Sequence, residues 1–357
     1  MTRSSRLVTS LVAAALAIVP ASIRAQAGAW RFVVSGDARN CGDVIAPAIA
    51  ETAAKNNASF YWHLGDLRWN SDIDEDIRHQ PEYVKKSMTV AAYISGAYTD
   101  FIESQIVPFG KTPYFIGIGN HELTAGKTRQ DYLLAFTDWL DSPVIREQRL
   151  KDNAHDWQMK TYYHWIDRGV DFIFLDNASN DMFDSAQLRW FENVLKADTA
   201  NPAIHTIVAG MHKPLPEGYS LDHGMNESPT STETGRRAYA DLLKAQTDGH
   251  KHVYVLASHQ HFFMPDAYDT PYWKEHGGVL PGWIVGTAGA VRYSLPKPSP
   301  AGAMTNVYGS LVGTVQTDGT IGFAFAEVKE ADLPKSVTDK YGAEFTHWCF
   351  AENSSVK

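Results

Sequence analysis

The sequence feature that most constrains the fold is a series of six short apolar runs, each closed by a polar or small residue. These runs are rich in β-branched and aromatic residues, as buried strands are. Helical spacing of apolar residues follows the first and fourth runs, with Ser185 as a plausible cap of the later helix. The alternation predicts an α/β fold. The runs read RFVVSGD, SFYWHLGD, PYFIGIGN, DFIFLDN, HTIVAGMH and HVYVLASHQH, and PGWIVGTAGA, NVYGSLVGTVQTD and GTIGFAFAEV resemble further strands.

Two polar segments interrupt this alternation. Residues 68–111 and 123–158 carry mostly helical patterns and have the character of insertions. No internal repeat or shift in composition marks a linker between domains. We therefore expect one domain over residues 28–357 that carries both insertions.

The first 27 residues have the layout of a secretory signal peptide. A basic MTRSSR precedes the apolar LVTSLVAAALAIVPA and the cleavage pattern AQA. A membrane anchor is the alternative, but the apolar part is short for a membrane span. The sequence predicts a secreted or periplasmic protein that is free of the membrane after cleavage. In such a protein Cys41 and Cys349 could form a disulfide, and two free buried thiols remain the alternative.

Composition limits the partners. With 44% hydrophobic residues the chain can bury a sizeable core. A net charge of −9 argues against a nucleic-acid partner, because affinity for DNA or RNA requires a basic face.

The polar residues at the ends of the runs predict a metal site. The carboxyl ends of parallel strands lie along one edge of an α/β sheet, so side chains that follow them converge there. Carboxylate, amide oxygen and imidazole are ligands expected for Zn, Mn or Fe. A shared carboxylate can hold two ions about 3.5–4 Å apart, which suits in-line attack on phosphorus. The candidate ligands are Asp37, Asp66, Asn120, His212, His259 and His261.

Each of these motifs is weak alone, and their order along the chain is specific. They read GDAR at 36–39, GD at 65–66, GNHE at 119–122, GMH at 210–212 and SHQH at 258–261. The ordered set resembles the calcineurin-like metallophosphoesterases, and YYHWIDRGVDFIFLDN with AQLRWFENVL resembles their purple-acid-phosphatase-like branch. The resemblance implies a four-layer α-β-β-α sandwich and a centre with two divalent or trivalent ions of Fe, Mn or Zn. Firm binding of only one of these ions is the alternative.

The resemblance also implies a role for each matched residue. Asp66 corresponds to the carboxylate that bridges both ions, and Asp37 and His261 correspond to ligands of the first ion. His121 corresponds to the catalytic histidine that contacts the phosphoryl oxygen and protonates the leaving group. The remaining ligands of the second ion correspond to Asn120, His212 and His259.

Three positions depart from the family pattern. Arg39 stands where the family has His or Gly, and it removes a ligand of the first ion if histidine is the ancestral residue. We expect its guanidinium either to bind a substrate phosphate oxygen or to replace part of the first cation; pairing with an acid such as Asp43 is the alternative. Trp69 stands at the position of the iron-binding tyrosine, so a purple colour is not expected. Ser258 replaces a glycine without expected consequence.

Together these features predict a secreted metal-dependent phosphoesterase. A metal-bound hydroxide would attack a small phosphate mono- or diester, with His121 and Arg39 as catalytic residues. The competing hypothesis is a non-catalytic phosphate-binding or structural homologue whose first metal site is impaired by Arg39. Pocket-lining positions expected from the sequence are Trp69, Tyr219, His223 and Tyr293. The oligomeric state does not follow from these patterns.

Overall fold

The computed structural model describes residues 28–80, 83, 88–179 and 182–354. The predicted signal peptide, residues 1–27, lies outside the described residues. In the described part of the chain, none of the helices has the length and apolar character needed to span a membrane.

The first sheet holds the strands from both ends of the described chain. Its order is β11-β10-β1-β2-β3. The three strands β1 to β3 run parallel, whereas β10 pairs antiparallel with both β1 and β11. Their bounds are β1 Trp30–Ser35, β2 Tyr61–His63, β3 Tyr114–Ile116, β10 Tyr308–Val315 and β11 Ile321–Val328.

The second sheet is formed by the middle of the chain, in the order β4-β5-β6-β7-β9-β8. Strands β5, β6, β7 and β9 are parallel, and β4 and β8 lie antiparallel at the two edges. The bounds are β4 Tyr163–Asp167, β5 Val170–Leu175, β6 Thr206–Met211, β7 His252–Ala257, β8 Phe263–Met264 and β9 Gly282–Val285.

Helices cover the outer faces of both sheets. Val44, Ile45 and Ile49 of α1 join the core of the first sheet, while α7 and α8 pack on the second through residues such as Phe191 and Leu242. The helices are α1 Gly42–Lys55, α2 Glu75–Arg78, α3 Val90–Phe101, α4 Arg129–Ala135, α5 Thr137–Leu140, α6 Pro143–Asp152, α7 Ser185–Ala200, α8 Pro229–Thr247, α9 Pro271–Glu275, α10 Lys335–Tyr341 and α11 Ala343–Ala351.

An aromatic core joins the inner faces of the two sheets. The rings of Phe115 and Trp165 stack at 3.8 Å between centroids, and Phe32 meets Phe172 edge to face at 5.1 Å. Such aromatic pairs stabilise a core beyond the area that they bury. At Gly210 a Cβ atom would lie 2.2 Å from the ring of Trp62, so only glycine allows this approach of the sheets. The predicted four-layer sandwich is thereby confirmed.

The predicted elements are found with one local correction. All nine predicted strands contain a strand, and the two insertion segments contain α2 and α3, and α4 to α6. The predicted cap Ser185 is wrong, because Asp184 caps α7 by accepting from the backbone N–H groups of Ala186 and Gln187. Cys41 and Cys349 form a disulfide that ties the loop after β1 to α11.

Candidate metal centre

The candidate ligands lie where the carboxyl edges of the two sheets meet. Asp37 and Asp66 follow β1 and β2 of the first sheet, and His212 follows β6 of the second. The hydroxyl of Ser258, just after β7, donates to the backbone carbonyl of Leu64 across 3.0 Å and joins the two edges. Parallel strands in both sheets thus deliver their terminal side chains to one place.

Three candidate ligands have left-handed backbone conformations. The φ angles of Asp37, Asp66 and His259 are 61°, 58° and 67°. Such conformations are uncommon in residues other than glycine and are retained where the surrounding structure enforces them. At Gly119 a Cβ atom would lie 2.3 Å from Oδ1 of Asp66, so this position of the Asp66 carboxylate requires glycine at 119.

Acceptor atoms surround His212. Its Nδ1 lies 3.1 Å from the carbonyl of Leu64, which places the proton there and leaves a lone pair on Nε2. Nε2 in turn lies 3.0 Å from Oδ1 of Asn120, 3.0 Å from Nδ1 of His259 and 3.3 Å from Oδ1 of Asp66. Lone pairs that converge in this way are stabilised by a cation between them.

The residues fit one divalent ion. One ligand atom from each of Asp37, Asp66, His212 and His259 lies within 4.8 Å of the others. Among the described residues, Oδ1 of Asp37 and Oδ2 of Asp66 accept no hydrogen bond although both are buried. Burial opposes ionisation of Asp66, but the adjacent imidazoles and Arg39 hold its pKa well below the usual value. The donor set of carboxylate and imidazole suits Zn, Mn or Fe.

Arg39 points into the centre. Its Nη1 donates to Nε2 of His121 across 2.7 Å, and its Nη2 donates to Nε2 of His261 across 3.0 Å. Its Nε lies 3.7 Å from Oδ2 of Asp66. The alternative pairing with Asp43 is not found, because the carboxylate of Asp43 binds other groups.

His121 lies at the open side of the centre, with 16% of its side chain exposed. Its backbone N–H donates to Oδ1 of Asp66 across 2.9 Å. Burial lowers the pKa of His121 to about 4, and the charge of Arg39 adds to this effect while Asp66 opposes it. The imidazole is therefore neutral in this arrangement and accepts from Arg39.

Glu122 is a site residue that sequence reasoning missed. Its buried carboxylate accepts from the backbone N–H groups of Asp66, Leu67 and Gly119, at 2.9, 2.9 and 2.7 Å. Burial raises its pKa to about 7, with a further contribution from Asp66. Glu122 thereby fixes the turn that carries Asp66 against the turn that carries Asn120. The acid in GNHE was a signal for this role.

A buried ion-pair network supports the loop that carries Arg39. The guanidinium of Arg68 binds Asp43 at 2.6 Å, Asp76 at 2.9 Å and also Asp100. Asp74, 3.7 Å from Arg68, accepts from the backbone N–H of Asn40, and Asp76 accepts from that of Asp43. These contacts attach the first insertion to the centre.

Three of the four expected pocket residues surround the centre. The ring of Tyr293 stacks on His261 at 4.0 Å, the Trp69 ring lies 5.9 Å from the guanidinium carbon of Arg39, and His223 lies 5.9 Å from His259. Tyr219 instead donates its hydroxyl to the carbonyl of Asp269 and packs in the core of the second sheet.

Solved phosphatase structures share this architecture. A purple acid phosphatase from seeds of yellow lupin (Lupinus luteus) superposes with a TM-score of 0.55 at 14% identity, over 85% of this chain and 52% of the lupin chain. The fold is that of the calcineurin-like metallophosphoesterases. PhoD matches with a TM-score of 0.50 at 14% identity, over 85% of this chain and 72% of PhoD. A dimetal phosphatase from Danio rerio matches with a TM-score of 0.50 at 10% identity, over 80% and 93%.

The resemblance indicated by the sequence motifs is thus confirmed at the level of the fold. This chain spans about half the length of the lupin protein. No protein-family model matches the sequence, and no curated protein matches it.

Proposed function

We propose that the protein is a metal-dependent hydrolase of phosphoric ester bonds. The observation that carries this proposal is the convergence of Asp37, Asp66, His212 and His259 on a volume that one divalent ion would fill. A second support is the fold, which is shared with proteins described as a purple acid phosphatase and a dimetal phosphatase.

The arrangement supplies the groups that phosphoryl transfer requires. A bound divalent ion would polarise a phosphoryl oxygen and acidify a water molecule. Arg39 would add a permanent positive charge beside the reacting phosphorus. His121 is partly exposed at the edge of the centre, where it would face the leaving group. The negative charge of a bound phosphate would raise the pKa of its imidazole, and in the protonated form His121 would transfer a proton to the leaving group.

We propose a small phosphoester as substrate and a secreted or periplasmic location. The insertion of residues 68–111 supports the small substrate, because Trp69 and Asn70 border the centre and the side chain of Asn70 donates to the carbonyl of His121. The disulfide between Cys41 and Cys349 supports export to an oxidising compartment.

The test is hydrolysis of nitrophenyl phosphate and bis-nitrophenyl phosphate by protein reloaded with Mn, Zn or Fe. We expect hydrolysis of at least one ester to depend on metal and to fall at least about 100-fold in His212→Ala, because loss of a direct ligand exceeds the 10–100-fold effect of outer contacts. The exposed His155 provides the matched control, and His155→Ala should retain full activity.

Activity that survives in His212→Ala would exclude this centre as the site of hydrolysis. Protein that binds metal and phosphate without hydrolysing either ester would favour the non-catalytic homologue.

A further inference from the structure

We infer that this centre takes one divalent ion, and that the guanidinium of Arg39 lies where a second ion would have to bind. The inference rests on the metal site of the proposed function and specifies its composition. It also selects between the two roles expected for Arg39 from the sequence.

His261 is the imidazole that remains for a second ion. Its Nδ1 lies 2.6 Å from the carbonyl of Val291, which places the ring proton there and leaves the lone pair on Nε2. The stacked ring of Tyr293 fixes the plane of this imidazole. The lone pair of Nε2 is therefore held in one direction, and Nη2 of Arg39 lies 3.0 Å from it. Oδ1 of Asp37 lies 3.3 Å from the same nitrogen, so the guanidinium stands beside the two acceptors that a second ion would use.

A second ion at His261 would overlap with the guanidinium of Arg39. An ion bound to imidazole lies about 2.0–2.1 Å from the nitrogen. With Nη2 of Arg39 only 3.0 Å from the same nitrogen, the ion and the guanidinium would overlap. The side chain of Arg39 is only 8% exposed, and His121 holds its other terminal nitrogen at 2.7 Å. The guanidinium thus has two imidazole acceptors that fix its place.

The carboxylate of Asp37 lies within the ligand set of the single ion. Asp37, which the resemblance assigns to the first ion, lies with His212 and His259 in the ligand set of a single ion. Oδ2 of Asp37 also accepts from the backbone N–H of His259 across 2.6 Å. Arg39 is permanently protonated and cannot itself be a ligand, so it contributes charge without coordination.

Arg39 could alternatively bind a phosphate group of the substrate. A bidentate phosphate contact requires two free guanidinium N–H groups that point the same way. In Arg39 one N–H group of each terminal nitrogen donates to the imidazole of His121 or His261, and Nε lies 3.7 Å from Oδ2 of Asp66, so three of the five N–H groups face protein atoms. The geometry therefore favours the role of a built-in cation over that of a substrate anchor.

The test is metal stoichiometry. Protein freed of metal with a chelator is dialysed against excess Mn²⁺, and the bound manganese per chain is measured by mass spectrometry. We expect one ion in the wild-type protein and in Arg39→Lys, which keeps the buried charge. We expect two ions in Arg39→His and in Arg39→Ala, with the magnetic signature of two coupled Mn²⁺ ions in electron paramagnetic resonance.

Arg129 provides the matched control. Its guanidinium binds Asp176 at 2.7 and 2.9 Å and has no described contact with the centre, so Arg129→Ala should still hold one ion. Circular dichroism verifies that each variant is folded. Arg39→His and Arg39→Ala differ in size, so loss of folding in one leaves the other to decide.

Two ions in the wild-type protein would overturn the inference, as would a single ion in a folded Arg39→His or Arg39→Ala. Assays of nitrophenyl ester hydrolysis on the same samples separate this inference from the proposed function. Inactive wild-type protein with one ion would remove only the proposed function, and active protein with two ions would remove only the inference. Wild-type protein that binds no ion would overturn both.

Discussion

The carboxylate of Glu122 accepts the backbone N–H of Asp66 across 2.9 Å and thereby orients this candidate ligand through its backbone. In Glu122→Gln one oxygen becomes an N–H₂ group that faces backbone donors. We expect Mn²⁺ affinity to fall 10–100-fold, the range for outer contacts to metal ligands. Equilibrium dialysis measures the affinity, and Glu51→Gln, at a side chain that is 45% exposed, is the control. Unchanged affinity would contradict the positioning role of Glu122.

The Arg68 network should contribute strongly to stability. Arg68→Met leaves several buried carboxylates without a cation, and removing one member of a buried ion pair costs about 3–5 kcal/mol. We expect urea unfolding to show a loss of this size. Arg78, which pairs with Asp72 and is 35% exposed, provides the control; Arg78→Met should lose about 1 kcal/mol or less. Equal losses in both variants would exclude a special role for the buried network.

Stability should fall in alkaline solution because of His164. Its Nδ1 binds Asp171 at 2.7 Å and its Nε2 binds Asp152 at 2.5 Å. Burial lowers the pKa of His164, but the two acids outweigh burial and raise it to about 10. The folded pKa thus exceeds the unfolded value of about 6.5, so the stabilisation is complete below that pH and is lost as pH rises towards 10.

Asp198 also lowers the stability of the folded protein as pH rises. Burial raises its pKa to about 9, and Asp171 adds to the shift, so the folded state also retains this proton as pH rises. We expect the free energy of unfolding to decline between pH 7 and pH 9.5, and His164→Gln to destabilise the protein more at pH 6 than at pH 9.5. Denaturant unfolding over this range is the measurement. The exposed His276→Gln should behave as wild type, and a pH-independent effect of His164→Gln would exclude the charged imidazole.

Removal of the disulfide should destabilise the protein without unfolding it. The bond joins residues 308 positions apart, and loss of a native disulfide typically costs about 2–4 kcal/mol. We expect a lower melting temperature in the Cys41→Ala/Cys349→Ala double variant and in wild-type protein treated with a reductant. A melting temperature that does not change under either condition would show that the bond adds no stability.

The sheets could be predicted from sequence because each strand combines an apolar run with a closing polar residue. The sequence pattern does not predict strand β4. Its segment YHWID carries polar residues, and the turn to β5 is Arg168–Gly169, which differs from the common Asn-Gly and Asp-Gly hairpin pairs. The sequence alone does not distinguish Asp184 from Ser185 as the cap of α7, because both are good cap residues.

The convergence of Asp37, Asp66, His212 and His259 could be predicted because each follows the end of a strand, and their role as metal ligands stays a prediction. The contacts of Arg39 could not be predicted, because its imidazole partners lie 82 and 222 residues away in the sequence. No local sequence pattern indicates which side chain lies between these two imidazoles. The same holds for Glu122, whose partners are backbone groups of a turn 55 and 56 residues away.

The distribution of the ligands between the sheets has a thermodynamic consequence. Asp37 and Asp66 come from one sheet, whereas His212 and His259 come from the other. An ion bound to all four side chains would contact both sheets at once. It would therefore bind the native chain better than the unfolded chain. Resistance to heat and proteolysis should therefore rise with the free metal concentration, and the supply of metal in the surroundings would govern how long each molecule survives.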